Sequence, residues 1–165
     1  MNIIDIINYI GALAPIILFI VTVCLLNTKH NYLKFFISGF ILNNVLNVLL
    51  KLSIKEPRPS SDRKIIEIAI YNGERVSFDN YGMPSGHAQN CGYCLAFITM
   101  VYNSPIITGL YLIISCLSMY QRHSFNNHTT LQLLVGFIIG LFMGYVLYII
   151  TNKYIVGNIK EKGNY

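Results

Sequence analysis

Charge is what this sequence has least of: Asp, Glu, Lys and Arg make up 12% of its 165 residues, against 54% hydrophobic residues. A soluble domain carries roughly 25% charge. With a mean hydropathy of +0.52, the shortage excludes a water-soluble globular protein and points to an integral membrane one. Acidic residues are the scarcer sign, seven against twelve Lys and Arg. The basic residues nevertheless form no run or stripe, so no nucleic-acid partner is expected. The four cysteines, Cys24, Cys91, Cys94 and Cys116, all lie in apolar segments and outline no disulfide framework. The Cys91-x-x-Cys94 pair lacks the second ligand pair of a metal site and the βαβ pattern of a redox motif. No Lys or Arg precedes the first apolar run, so a cleaved signal peptide is not expected and the first span stays in the mature chain. Neither an internal repeat nor a low-complexity linker divides the chain, and a single membrane-embedded domain over 1–165 follows.

What is present are long apolar runs. Against the requirement of about 17–25 residues per span, five candidates appear, at residues 6–26, 33–52, 84–101, 105–120 and 129–150. The fold class predicted is an all-α integral membrane helix bundle of about five transmembrane helices. In the second span Asn44, Asn47 and Lys51 recur at helical spacing, a polar stripe that should face the bundle. The fifth span carries Gln132, Gly136, Gly140 and Gly144 at four-residue steps, a face narrow enough for another helix to approach closely. Between the second and third spans, alternating residues flank Asn72-Gly73, the strongest short-range hairpin signal, so a small β-hairpin is predicted there. The charges of that connection, Lys55, Glu56, Asp62, Arg63, Lys64, Glu67, Glu74 and Arg75, alternate in sign and read as a solvated loop, as do His30 and His123.

Counting crossings puts three polar segments on one side of the membrane. Lys51 and Arg58 end the second span, Pro84-Ser85-Gly86-His87 opens the third, Arg122 ends the fourth and His128 opens the fifth. Three permanent cations, two imidazoles and two helix N-termini suit a phosphate group and its transfer: Arg binds phosphate bidentately, Lys adds a point charge, and backbone N–H groups complete a cradle. Gln132, one turn after His128, is placed to accept from its ring.

These segments resemble the three ordered signatures of the type-2 phosphatidic acid phosphatase superfamily: Lys51-x6-Arg58-Pro59, Pro84-Ser85-Gly86-His87 and Arg122-x5-His128. Glu56-Pro57-Arg58-Pro59, Tyr81-Gly82-Met83-Pro84-Ser85 and His128-Thr129-x2-Gln132 are most similar to its dolichyl-diphosphatase branch. The resemblance implies a phosphatase of a lipid phosphate or polyprenyl diphosphate; because three cations offset the phosphate charge and no Asp/Glu cluster lies beside them in sequence, no metal or cofactor is expected. It implies His128 as nucleophile through a phosphohistidine, His87 as acid to the leaving oxygen, and Lys51, Arg58, Ser85, Gly86 and Arg122 as phosphate ligands. The alternatives are a phosphatidate or other lipid monophosphate phosphatase, and an inactive phospholipid-binding membrane protein. Two positions depart from the pattern: Gln121 stands where Ser is usual, and Gln132 where Asp is usual. Five spans rather than the family's common six are visible. The lysine balance predicts a lumenal or external site, in the endoplasmic reticulum if the chain is eukaryotic or viral.

Overall fold

The structure, a computed structural model, describes residues 3–59, 70–71, 74–75 and 80–162. Five helices form in chain order: α1 (Ile3–Leu25), α2 (His30–Ile54), α3 (Gly86–Tyr102), α4 (Pro105–Ser124) and α5 (Thr130–Lys162). Their ends follow local chemistry. Lys55 and Asn103 close α2 and α3 in the left-handed conformation, their N–H groups returning to the carbonyls of Lys51 and Thr99. Ser85 caps α3 by accepting from the Ala88 N–H. Pro105 starts α4 at a position where no N–H is needed.

The outer surface is apolar. Ile16, Ile41, Leu49, Ile138 and Phe142 are all about half exposed or more, which water would not tolerate in one continuous belt but lipid does. The interior is partly polar, the inverse of a soluble protein. Asn43, Asn47 and Lys51 lie buried along one face of α2. The first two join an amide chain to α3: Asn47 donates to Gln89 (2.8 Å), Gln89 to Asn43 (2.9 Å), Asn43 to Asn90 (2.8 Å) and Asn90 to Asn44 (2.9 Å). Each amide thus finds its partner across the interface, as groups without water must. The glycine series of α5 does pack against a helix, and that helix is α3. Methyl groups at Gly136, Gly140 and Gly144 would sit 2.5, 2.0 and 2.5 Å from the backbone oxygens of Ser85, Gln89 and Tyr93.

The structure corrects the predicted fold class in two respects. The β-hairpin is not a sheet layer of this fold: among the described residues pairing joins only Ile70 with Arg75 and Tyr71 with Glu74, and the rest of that stretch lies outside the described residues. Asn-Gly specifies a local turn, but a two-stranded ribbon is marginal without a further strand or a helix to cover it. The fold class is all-α. Of the five expected spans, only three helices among the described residues are long and apolar enough to cross a bilayer, α1, α2 and residues Thr130–Ile155 of α5. Helix α3, at 17 residues, buries nine of them, including Gln89; enclosed by its neighbours, it does not need a lipid-compatible surface. Helix α4 keeps Ser115, Ser118 and Gln121 buried.

Candidate active site

The C-terminal end of α2, the N-terminal ends of α3 and α5 and the C-terminal end of α4 meet at one end of the bundle. His128 sits in the turn between α4 and α5, and its backbone N–H and that of Asn127 both point at the Arg122 carbonyl, at 3.4 and 3.0 Å. The turn therefore ties one imidazole to the residue whose guanidinium meets the other. Arg122 Nη2 lies 2.6 Å from His87 Nε2, and Arg58 Nη1 lies 2.9 Å from His128 Nε2. Arg58 also donates to the Asn127 carbonyl at 3.2 Å. Lys51, buried, donates from Nζ to the Tyr81 carbonyl at 2.5 Å, next to the Pro84–Gly86 cradle.

The tautomer of His128 is fixed from both ends. A guanidinium can only donate, so Nε2 accepts and carries no proton. Nδ1 is then the protonated nitrogen, and it donates to Gln132 Oε1 at 3.2 Å. His128 is buried, and burial first, then the charges of Arg58 and Lys51, push its pKa well below the usual imidazole value, against the opposing hydrogen bond to Gln132. A neutral ring with an unprotonated Nε2 has the lone pair that nucleophilic attack requires, here engaged by the Arg58 guanidinium.

His87 is contested. Its Nε2 lies 2.6 Å from Arg122 Nη2 and 3.2 Å from the Ala12 carbonyl of α1. It accepts from Arg122 only when bare and donates to Ala12 only when protonated. Pro15 has no N–H for the Gly11 carbonyl, which interrupts the α1 ladder in the turn that meets His87.

The structure thus brings Lys51, Arg58, Ser85, Gly86, His87, Arg122, His128 and Gln132 to one end. Ser85 donates its N–H to the Gln132 carbonyl at 3.0 Å, locking the α3 start onto α5. Gly86 has Asn47 beside it, 3.2 Å from where a side chain would begin. Gln121 instead packs on Gly11 of α1, its buried amide oxygen meeting no hydrogen-bond partner among the described residues. His30 and His123 are exposed, at helix ends rather than in loops.

Sequence reasoning missed two residues. Glu56, read as part of a solvated loop, accepts from Gln132 Nε2 at 2.7 Å, while the neighbouring Pro57 carbonyl accepts from the same nitrogen at 2.9 Å. Gly82 lies against that amide, since a methyl group there would sit 2.4 Å from Gln132 Oε1. The available signal was Gln132 itself: an uncharged residue at an orienting position asks for a carboxylate from elsewhere.

The family model described as PAP2 superfamily matches residues 32–155, from α2 into α5, and that segment holds every one of these side chains. The chain belongs to the PAP2 superfamily. It is 29% identical over 135 residues to a protein of Saccharomyces cerevisiae named dolichyldiphosphatase, covering 76% of this chain and 52% of that one. It is 27% identical over 121 residues to dolichyldiphosphatase 1 of Dictyostelium discoideum, covering 67% and 48%. A palmitoyl-protein thioesterase-dolichyl pyrophosphate phosphatase fusion of Schizosaccharomyces pombe is 26% identical over 136 residues, covering 76% of this chain and 19% of the fusion. The chain spans about half the length of the first two relatives. No solved structure matches it. Helix α1, which supplies the Ala12 carbonyl, lies outside the segment that the PAP2 superfamily match covers.

Proposed function

We propose that this protein is a membrane-embedded phosphatase of a lipid phosphate, with polyprenyl diphosphate as the preferred substrate class. The observation that carries the reading is the pair of imidazole–guanidinium contacts, His128 with Arg58 and His87 with Arg122, at one end of an apolar bundle. The names of the relatives support the polyprenyl diphosphate. A site at the end of a lipid-exposed bundle suits a substrate whose tail stays in the bilayer.

In this mechanism the phosphate oxygens take the N–H groups of Arg58, Arg122 and Lys51 together with the first-turn N–H groups of α3. His128 Nε2, released by Arg58, bonds to phosphorus while the bond from phosphorus to the leaving oxygen breaks, and His87 gives that oxygen a proton. Binding of the phosphate to Arg122 leaves the His87 nitrogen to the Ala12 carbonyl, the contact that favours its protonated form. Water then attacks the phosphohistidine, giving a proton back to His87 and releasing phosphate. Three permanent cations offset the charge of the transferring group, so the reading requires no divalent metal.

The site lies lumenally or externally in this reading. In sequence, the connection between the first two helices and the C-terminal tail carry Lys29, Lys34, Lys153, Lys160 and Lys162 against Glu161, and the positive-inside bias assigns that side to the cytosol. The deciding experiment is phosphate release by purified protein in detergent from polyprenyl diphosphate, polyprenyl monophosphate and phosphatidate, with the diphosphate expected fastest. Fastest release from phosphatidate would make it a lipid monophosphate phosphatase, and no release from any would make it a lipid-binding protein.

A further inference from the structure

The orientation of the Gln132 amide is fixed by groups whose own polarity is certain. Oε1 accepts from the Thr129 backbone N–H at 3.2 Å, and Nε2 donates to the Pro57 carbonyl at 2.9 Å. Turning the amide over would set two donors together at Thr129 and two acceptors together at Pro57. With this orientation Oε1 faces His128 Nδ1–H and Nε2 faces the Glu56 carboxylate, in an unbroken line from carboxylate through amide to imidazole. The segment that carries Glu56 is itself anchored: its carbonyl accepts from Gly82 N–H at 2.7 Å, and Pro57 bridges to Tyr81.

We infer that Glu56 is a positioning residue for His128, acting through Gln132 to supply the negative charge that a carboxylate at position 132 would have supplied. Bonding of Nε2 to phosphorus makes the ring cationic. Gln132 alone offers that ring an oxygen dipole, whereas Gln132 held by a carboxylate is polarised so that its oxygen becomes a stronger acceptor. Among the described residues the other charged groups around the ring are positive: Arg58, Lys51 and His87 all disfavour its cation, and Arg122 lies beyond His87. Glu56 is the acidic side chain that reaches this assembly among the described residues.

The inference rests on the phosphatase reading for its kinetic test, and a binding test separates the two. Glu56→Gln keeps an acceptor for Gln132 but removes the charge. It should lower kcat about tenfold at unchanged KM and move the acid limb of kcat/KM to lower pH, because loss of a nearby anion makes the His128 cation harder to form. Gln132→Asp sets two carboxylates together, so adding Glu56→Gln should restore activity; independent structural roles would give additive losses. Vanadate, which takes a fifth ligand as phosphorus does in the transition state, should bind Glu56→Gln about tenfold more weakly by calorimetry, with orthophosphate affinity unchanged. That split supports the inference whether or not lipid is hydrolysed, and if the parent releases no phosphate the functional reading alone falls. Parental kcat, an unmoved acid limb and equal vanadate affinity in Glu56→Gln would overturn the inference. A parent that binds neither anion overturns both.

Discussion

Replacing Gly140 by Ala tests whether the contact between α3 and α5 holds the two imidazoles in place. The added methyl group would sit 2.0 Å from the Gln89 carbonyl oxygen, 2.8 Å from its carbon and 2.9 Å from the Tyr93 nitrogen. Those atoms belong to helix backbone and cannot rotate away, so the helices have to part by roughly 1.4 Å to reach ordinary contact. Neither neighbour along the seam can absorb this, since Cβ atoms at Gly136 and Gly144 would also meet backbone oxygens, at 2.5 Å each. Overpacking of this kind costs about 1–3 kcal/mol. The upper end applies here, because the movement also strains the Ser85–Gln132 backbone bond. A loss of about 3 kcal/mol lowers Tm by roughly 6–12 °C for a chain of this size. The site suffers as well: His87 begins α3 and His128 adjoins α5, and a displacement of about 1 Å at reacting groups costs on the order of a hundredfold in rate. Gly109→Ala is the control, with nothing within 4 Å of the added carbon. Thermal unfolding in detergent and phosphate release would be measured on both variants. If Gly140→Ala matches Gly109→Ala in both, α3 and α5 do not meet through their backbones and the reasoning fails.

Three further outcomes are expected. Gln132→Ala should lower kcat by roughly ten- to a thousandfold with little change in KM, short of the near-complete loss for His128→Ala; steady-state kinetics with full activity in Gln132→Ala would reduce Gln132 to packing. The depressed pKa of His128 means that its neutral, attacking form survives into acid, so the acid limb of kcat/KM should have its midpoint below the ordinary imidazole value of about 6.5; a midpoint at or above that value contradicts the burial argument. Phosphate release should persist in excess EDTA, and complete loss restored by magnesium would refute the metal-free mechanism.

Much of this site was legible because its chemistry is written in short, spaced motifs. Crossing parity alone placed Lys51, Arg58, His87, Arg122 and His128 together, and the structure joins four of them in two imidazole–guanidinium pairs. The helical stripe on α2 was read from Asn44, but the buried line runs through Asn43, Asn47 and Lys51, with Asn44 at its edge. A spacing of three or four residues does not say which of two adjacent asparagines faces inward; that depends on where α3 offers Gln89 and Asn90. The hairpin prediction failed for a related reason, since turn chemistry is local whereas a ladder needs a surface to pack on. Three transmembrane candidates rather than five emerged because apolar length measures fitness for lipid, and α3 is enclosed by protein instead.

Glu56 marks a different limit. It stands inside the Glu56-Pro57-Arg58-Pro59 stretch, but that stretch gave a role only to Arg58, and the partner of Glu56 lies 76 residues away in sequence. What could have drawn attention to it is a conflict rather than a motif. An imidazole that must become cationic, buried among Arg58, Lys51 and His87, needs an anion, and the residue placed to orient it is an uncharged Gln132. Either the chemistry is weakened or the charge comes through Gln132 from another segment, and the 2.7 Å bond to Glu56 supplies the second answer. The apparent defect at position 132 is then one half of a two-residue substitute for a carboxylate. This is why Gln132→Asp alone should lower activity, and why adding Glu56→Gln should restore it.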